Sequence, residues 1–116
     1  MTKLVVDDLR ILNLPGRVIY ARDPQVALAY LSSKKKWEEL WLDHDMGYAD
    51  GHVLDIWPVI EYLEERIQYD PIKIREVYVI TSNPVGAQRM KLALDKMGYA
   101  TTVMDPKRIM AGTIPW

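Results

Sequence analysis

Short apolar runs that stop abruptly at polar residues, with helix-periodic stretches between them, constrain this chain more than any other feature. Leu4–Val6 runs into Asp7 and Asp8, Val18–Ala21 into "RD", "WEELWLD" ends at Asp43, "EVYVITS" (76–82) ends in hydroxyls, and "ATTVMD" ends at Asp105. Runs of this kind, rich in β-branched residues and closed where the chain reaches solvent, are the pattern of buried parallel strands. After the second run, Asp23 is placed to cap a helix that Pro24 opens, turning Ala27, Leu28 and Leu31 to the core. Val53, Ile56, Ile60, Leu63 and Ile67 recur at intervals of three and four. They predict a helix that begins near Asp55 or kinks at Pro58, because proline fits without cost only in a first turn. "SNPVGAQRMKLALDKMGY" repeats the cap-and-proline signal at Asn83 and Pro84, carries Ala87, Met90, Leu94 and Met97 on one face, and stops at Gly98. The "IMAGTIPW" stretch is short for another full helix.

Strands alternating with helices predict an α/β fold: a flavodoxin-like, doubly wound parallel sheet of about five strands, helices on both faces, the final helix missing or short. The 116 residues predict a single domain over 1–116. In such sheets ligands bind beyond the carboxyl ends of the strands. Every polar cluster named above stands at one.

Charge is balanced, 15 Lys+Arg against 16 Asp+Glu, so nothing overall draws the chain to nucleic acid or an anionic membrane. "KKK" at 34–36 reads as a solvated helix end. The absence of cysteine excludes a disulfide, a thiolate metal site and a cysteine nucleophile, and fits a reducing cytoplasm. No apolar run approaches the roughly 18 residues of a membrane span, and the acidic start does not resemble a signal peptide. The expectation is a cytoplasmic protein without a membrane partner.

Asp7, Asp8 and Asp43 close two strands and Thr81–Ser82 close another, so a sheet that aligns these strands gathers all five side chains at one edge. Crowded carboxylates raise one another's pKa unless a cation sits among them. Oxygen donors of this kind suit Mg2+ or Mn2+. Any one acid at a strand end is equally well an ordinary cap or turn residue; the joint placement is what points to a metal and, through it, a phosphate. His44, between Asp43 and Asp45, is placed either as a proton donor to a leaving oxygen or as an orienting partner of a neighbouring carboxylate. Asn83 and Gly86 open a helix whose N-terminus could meet an anion, though a plain cap explains them too. Arg10 could clamp a phosphate in bidentate fashion or pair with Asp8. Tyr48 could stack on a base, and His52 reads as a surface residue. Ile109, Met110, Ile114 and Trp116 make an apolar tail that either packs on the sheet edge or offers a surface to a second copy or another protein.

These residues resemble the response-regulator receiver family: "DD" after the first strand, Asp43 after the third, Met46, Asp50 and Gly51 beyond it, and Thr81. That resemblance implies Asp7 and Asp8 as metal ligands, Asp43 as phosphoacceptor and Thr81 as switch hydroxyl. Asp105 stands before Pro106 where receivers place a lysine, Lys107 lies two residues on, and Gly47 replaces a usual proline. "DDLR", "LDHDMG" and "SNPVGAQRM" resemble more closely the cyclic-phosphate processing receiver domains, a divergent branch common in bacteriophage and bacterial genomes, with Ile80 where that family usually has histidine.

This second resemblance implies metal-assisted action on, or binding of, cyclic or terminal phosphates of a nucleotide or an RNA end. Mg2+ or Mn2+ would sit on Asp7, Asp8 and Asp43, with Asp43 and His44 catalytic. Arg10, Asp45, Thr81, Ser82, Asn83 and Gly86 would surround the phosphate. The alternative is a non-catalytic phage or bacterial module binding a host protein or a signalling nucleotide, in the host cytoplasm if phage-encoded. A phosphoacceptor receiver ranks third because of Asp105.

Overall fold

Thr2–Val6 (β1), Arg17–Ala21 (β3), Lys36–Leu42 (β4), Lys73–Val79 (β7) and Thr101–Val103 (β8) form one sheet in the order β3-β1-β4-β7-β8. Every neighbouring pair is parallel. This is the α/β, flavodoxin-like arrangement expected from the alternation of runs. The structure is a computed structural model that describes residues 1–49 and 51–114. Asp50 and Trp116, invoked above, lie outside the described residues, as do the side chains of Tyr48 and Ala49.

The helices are Pro24–Ser33 (α1), Trp57–Ile67 (α2) and Pro84–Lys96 (α3). Asp23 caps α1, its carboxylate accepting the Val26 amide at 2.9 Å. Asn83 caps α3 in the same way through the Gly86 amide at 3.1 Å. Pro58 falls in the first turn of α2, so the helix starts beside Asp55, whose Oδ1 accepts the Trp57 amide, and does not kink there. Val53, assigned above to this helix, instead lies 63 % exposed on a hairpin strand.

Side chains alternate across a strand, and the two faces of this sheet are covered differently. Leu4, Val6, Leu40, Leu42, Val77 and Val79 pack with Ala27 and Leu31 of α1, Val59, Ile60 and Leu63 of α2, and Ala87, Met90 and Leu94 of α3. Val5, Trp41 and Ile80 face the other way, where Leu12, Leu14, Tyr20, Tyr78, Met104 and Ile109 join them. Trp41 and Tyr78 stack there with ring centroids 4.1 Å apart. None of these second-face residues belongs to an α-helix. The face is closed by an antiparallel ribbon of Arg10–Leu12 (β2) and Met110–Thr113 (β9). Where helices were expected on both faces, all three described ones therefore share the first, and the tail is a strand on the second. Three- and four-residue strands carry too little period to be read from sequence.

Asp45–Ala49 (β5) and His52–Asp55 (β6) form a separate antiparallel hairpin between β4 and α2. Among the described residues no helix is long and apolar enough to cross a membrane.

Candidate functional site

Val6 is paired with Leu42, so the next residues of the two strands, Asp7 and Asp43, emerge side by side at the carboxyl end of the sheet. Asp7 is fully buried and Asp43 only 5 % exposed. The chain turns sharply at this point because the amides of Leu9 and Arg10 both donate to Asp7 Oδ1 at 2.9 Å. That turn brings Arg10 back over the strand ends. Its Nη1 donates to Asp7 Oδ2 at 3.0 Å and to Asp43 Oδ2 at 3.1 Å, bridging the two carboxylates. Arg22, just past β3, braces the turn by donating Nη1 to the Arg10 carbonyl at 2.6 Å and to the Asp7 carbonyl at 3.3 Å. Its guanidinium also rests 4.5 Å from the centre of the Tyr20 ring.

Asp8, inside the same turn, completes the acidic group. Gly47 lies against it: a Cβ there would stand 3.1 Å from Asp8 Oδ2, and φ at this residue is +83°. Glycine meets both demands, and the proline that receivers carry nearby would meet neither. One oxygen from each of Asp7, Asp8 and Asp43 lies within 4.8 Å of the others. Among the described residues, Asp8 forms no ion pair, so only Asp7 and Asp43 of the three carboxylates touch the Arg10 guanidinium. Burial, then the Asp7 charge, push the Asp43 carboxyl up to about 6, against the pull of Arg10 and a hydrogen bond from Thr81. Burial and the Asp7 charge also raise Asp8. Three hard oxygen donors with residual negative charge fit a divalent cation of the Mg2+ or Mn2+ kind.

Thr81 is nearly buried past the end of β7, and its hydroxyl oxygen accepts the Asn83 amide at 3.1 Å. Ser82 is exposed and lines, with the acidic group, Arg10 and Asp45, a cleft of about 550 Å3. Met110 and Thr113 of β9 form part of its wall; neither was predicted from sequence, and only the apolar tail beyond the last parallel strand hinted at them. A neighbouring cleft of about 720 Å3 shares Asp8, Gly47 and Val53 and runs between the start of α1 and the hairpin, past Arg22, Gln25, Met46 and Pro58.

The remaining predicted residues sit apart from this group. His44 Nδ1 lies 3.0 Å from Asp45 Oδ1, so its carboxylate partner is Asp45 rather than Asp43. Its ring packs on Gly86: a Cβ at that position would fall 2.7 Å from His44 Cδ2. The Gly86 amide is already taken by Asn83 Oδ1. Gly86 thus serves the packing of α3 against the histidine ring, and its amide is taken up in the Asn83 cap, the plainer of the two readings the sequence left open, rather than free for an anion. Asp105 is exposed and caps the 3-10 turn Pro106–Arg108 through the Lys107 amide. It borders a different cleft, which also touches Thr81 and Ser82. Ile80, at the position of the family's histidine, is fully buried among apolar side chains. His52 is exposed, as expected.

Over residues 2–96 the chain matches the family described as "Cyclic-phosphate processing Receiver domain". No curated protein and no solved structure matches it.

Proposed function

The chain belongs to the cyclic-phosphate processing receiver domain family, and on that footing we propose that it binds a divalent cation on Asp7, Asp8 and Asp43 and, with it, a cyclic or terminal phosphate of a nucleotide or RNA end. The observation that carries this reading is the convergence of three carboxylate oxygens within 4.8 Å at the carboxyl end of the parallel sheet. A bound Mg2+ or Mn2+ would supply charge neutralisation for phosphoryl oxygens. Around it, Arg10 offers planar N–H donors suited to a phosphate, and the Thr81 and Ser82 hydroxyls stand at the same strand end. Phosphate-ester hydrolysis is the reaction class this constellation would serve, with His44 as the proton donor.

The position of His44 favours a second reading, in which the domain binds its phosphate ligand without turning it over. The ring is committed to Asp45 and to the Gly86 backbone rather than to the lining of the acidic cleft. Calorimetric titration with Mn2+, then incubation with cyclic nucleotides and RNA 2′,3′-cyclic ends and product analysis, separates the two. Enzyme activity predicts that His44→Ala lowers turnover by about 10²–10⁴-fold while ligand affinity stays within a few-fold. Binding without any product in the parent chain establishes the second reading. Failure of Asp7→Ala or Asp43→Asn to weaken Mn2+ binding overturns both.

A further inference from the structure

Arg10 already bridges Asp7 and Asp43 through one oxygen of each. Its Nη1 is 3.0 Å from Asp7 Oδ2 and 3.1 Å from Asp43 Oδ2, and those carboxylates, with Asp8, offer oxygens within 4.8 Å of one another. A divalent cation held by those same two oxygens, at the roughly 2.0–2.1 Å typical of Mg2+, would leave no room for the guanidinium nitrogen between them. Like charges at that distance also repel strongly in a buried site. Metal and arginine thus compete for one seat.

The backbone of Arg10 would nevertheless stay tied down if its guanidinium left. Its amide donates to Asp7 Oδ1, its carbonyl accepts from Arg22, and its strand position is fixed by pairing with Thr113. An expelled guanidinium therefore stays within one side-chain length of the cluster, and the open space on its side is the cleft of about 550 Å3 that holds Asp45, Ser82, Met110 and Thr113. Charge favours that outcome: with Arg10 bonded to Asp7 and Asp43 and Arg22 within electrostatic reach of Asp8, the three carboxylates still leave the group net negative, which a dication offsets while the arginine stays nearby.

We propose that Arg10 is an exchangeable cation: it closes the acidic site in the metal-free protein, and metal entry displaces its guanidinium into the adjoining cleft, where it becomes the clamp for the phosphate. This rests on the metal-binding reading above and adds to it a coupling between metal and anion. Metal frees the arginine, and the freed arginine raises anion affinity beyond what the metal alone provides. Reciprocity then requires that anion raise metal affinity by the same factor.

The test uses the full chain, Mg2+ or Mn2+, and inorganic phosphate, followed by calorimetry. Without phosphate, Arg10→Ala and Arg10→Gln should bind metal about tenfold more tightly than the parent, because no resident cation has to be displaced. With metal saturating, the same variants should bind phosphate at least about tenfold more weakly, and the mutual enhancement of metal and phosphate seen in the parent should fall to a small residue; Arg10→Lys should keep part of it. A second measurement needs no variant to fold normally: in parent chain carrying 15N-labelled arginine, saturating Mg2+ should shift and sharpen one side-chain Nε–H resonance. Equal or weaker metal binding in Arg10→Ala and Arg10→Gln, or arginine resonances unmoved by saturating Mg2+, overturns the exchange while leaving the metal site standing. Absence of metal binding in parent and variants alike overturns the metal site and the exchange together.

Discussion

Asp43 holds its proton to about pH 6 because it is buried beside Asp7, whereas an unfolded chain releases it near pH 3.9. The folded form thus binds this proton more tightly than the unfolded form. The stability it contributes is fully present below about pH 3.9 and is lost as pH rises through about 6, an amount on the order of 2–3 kcal/mol. In chelator, the stability of the parent relative to Asp43→Asn should fall across that window, leaving the variant at least as stable as the parent at pH 7.5. Thermal melts of both chains at several pH values check this; a variant that melts far below the parent at pH 7.5 would mark Asp43 as structural. Gly86 makes the opposite kind of point. Alanine in place of a helical glycine ordinarily stabilises by about 1 kcal/mol, but here its methyl would meet the His44 ring at 2.7 Å. Gly86→Ala is expected to cost about 1–3 kcal/mol, and adding His44→Ala should recover most of it. Asp7, Asp8 and Asp43 were legible as a group because a residue that ends a buried strand is bound to lie at the sheet's edge. The His44–Gly86 contact was not legible, because nothing local ties a loop histidine to one glycine of a distant helix.

The elements that could be read in advance are those with strong local signals. The Asp23–Pro24 and Asn83–Pro84 caps place α1 and α3, and continuous apolar runs place the parallel strands. The ribbon β2–β9 and the hairpin β5–β6 could not be read: their strands are short, and their pairing is set by the turn at Asp7 and by tertiary contact. The last parallel strand, β8, has a chemical consequence of its own. It leads to Asp105, which caps the 3-10 turn, so the cation facing Asp43 comes from β2 as Arg10 and not from the end of β8. A phosphoryl group added to Asp43 would find the one cation bonded to it among the described residues already shared with Asp7. Acetyl phosphate is therefore expected to leave the intact mass unchanged, measured beside beryllium fluoride binding as a control. A stoichiometric adduct that disappears in Asp43→Asn would restore the phosphoacceptor reading.

Taken as one body, the molecule is lopsided: three helices bury one face of the sheet, while the other is closed by a small ribbon over Trp41, Tyr78 and Val5. Backbone hydrogen bonds under a packed helical layer open only with large-scale unfolding, whereas those of a short ribbon open locally. Hydrogen exchange should accordingly protect the amides of β1, β4 and β7 most strongly and those of Ile11 and Leu12 much less. Equal protection of ribbon and central strands would show that the ribbon belongs to the same cooperative unit. Such unevenness suits a site whose arginine has to move, since Arg10 is carried on the ribbon and the carboxylates Asp7 and Asp43 on the sheet.

The pairing of β2 with β9 also governs how the protein is best handled. Thr113 lies opposite Arg10, and the Ile114 amide donates to the Leu9 carbonyl at 3.0 Å, so Ile114 lies at the mouth of the acidic cleft. Met1 precedes β1 at the other end of the strand, about 17 Å away for a five-residue strand. A bulky group attached at Ile114 would crowd the cleft, whereas one attached ahead of β1 leaves it clear. Conversely, a fluorophore attached beyond Ile114 would sit close enough to report, by its change in emission, whatever enters.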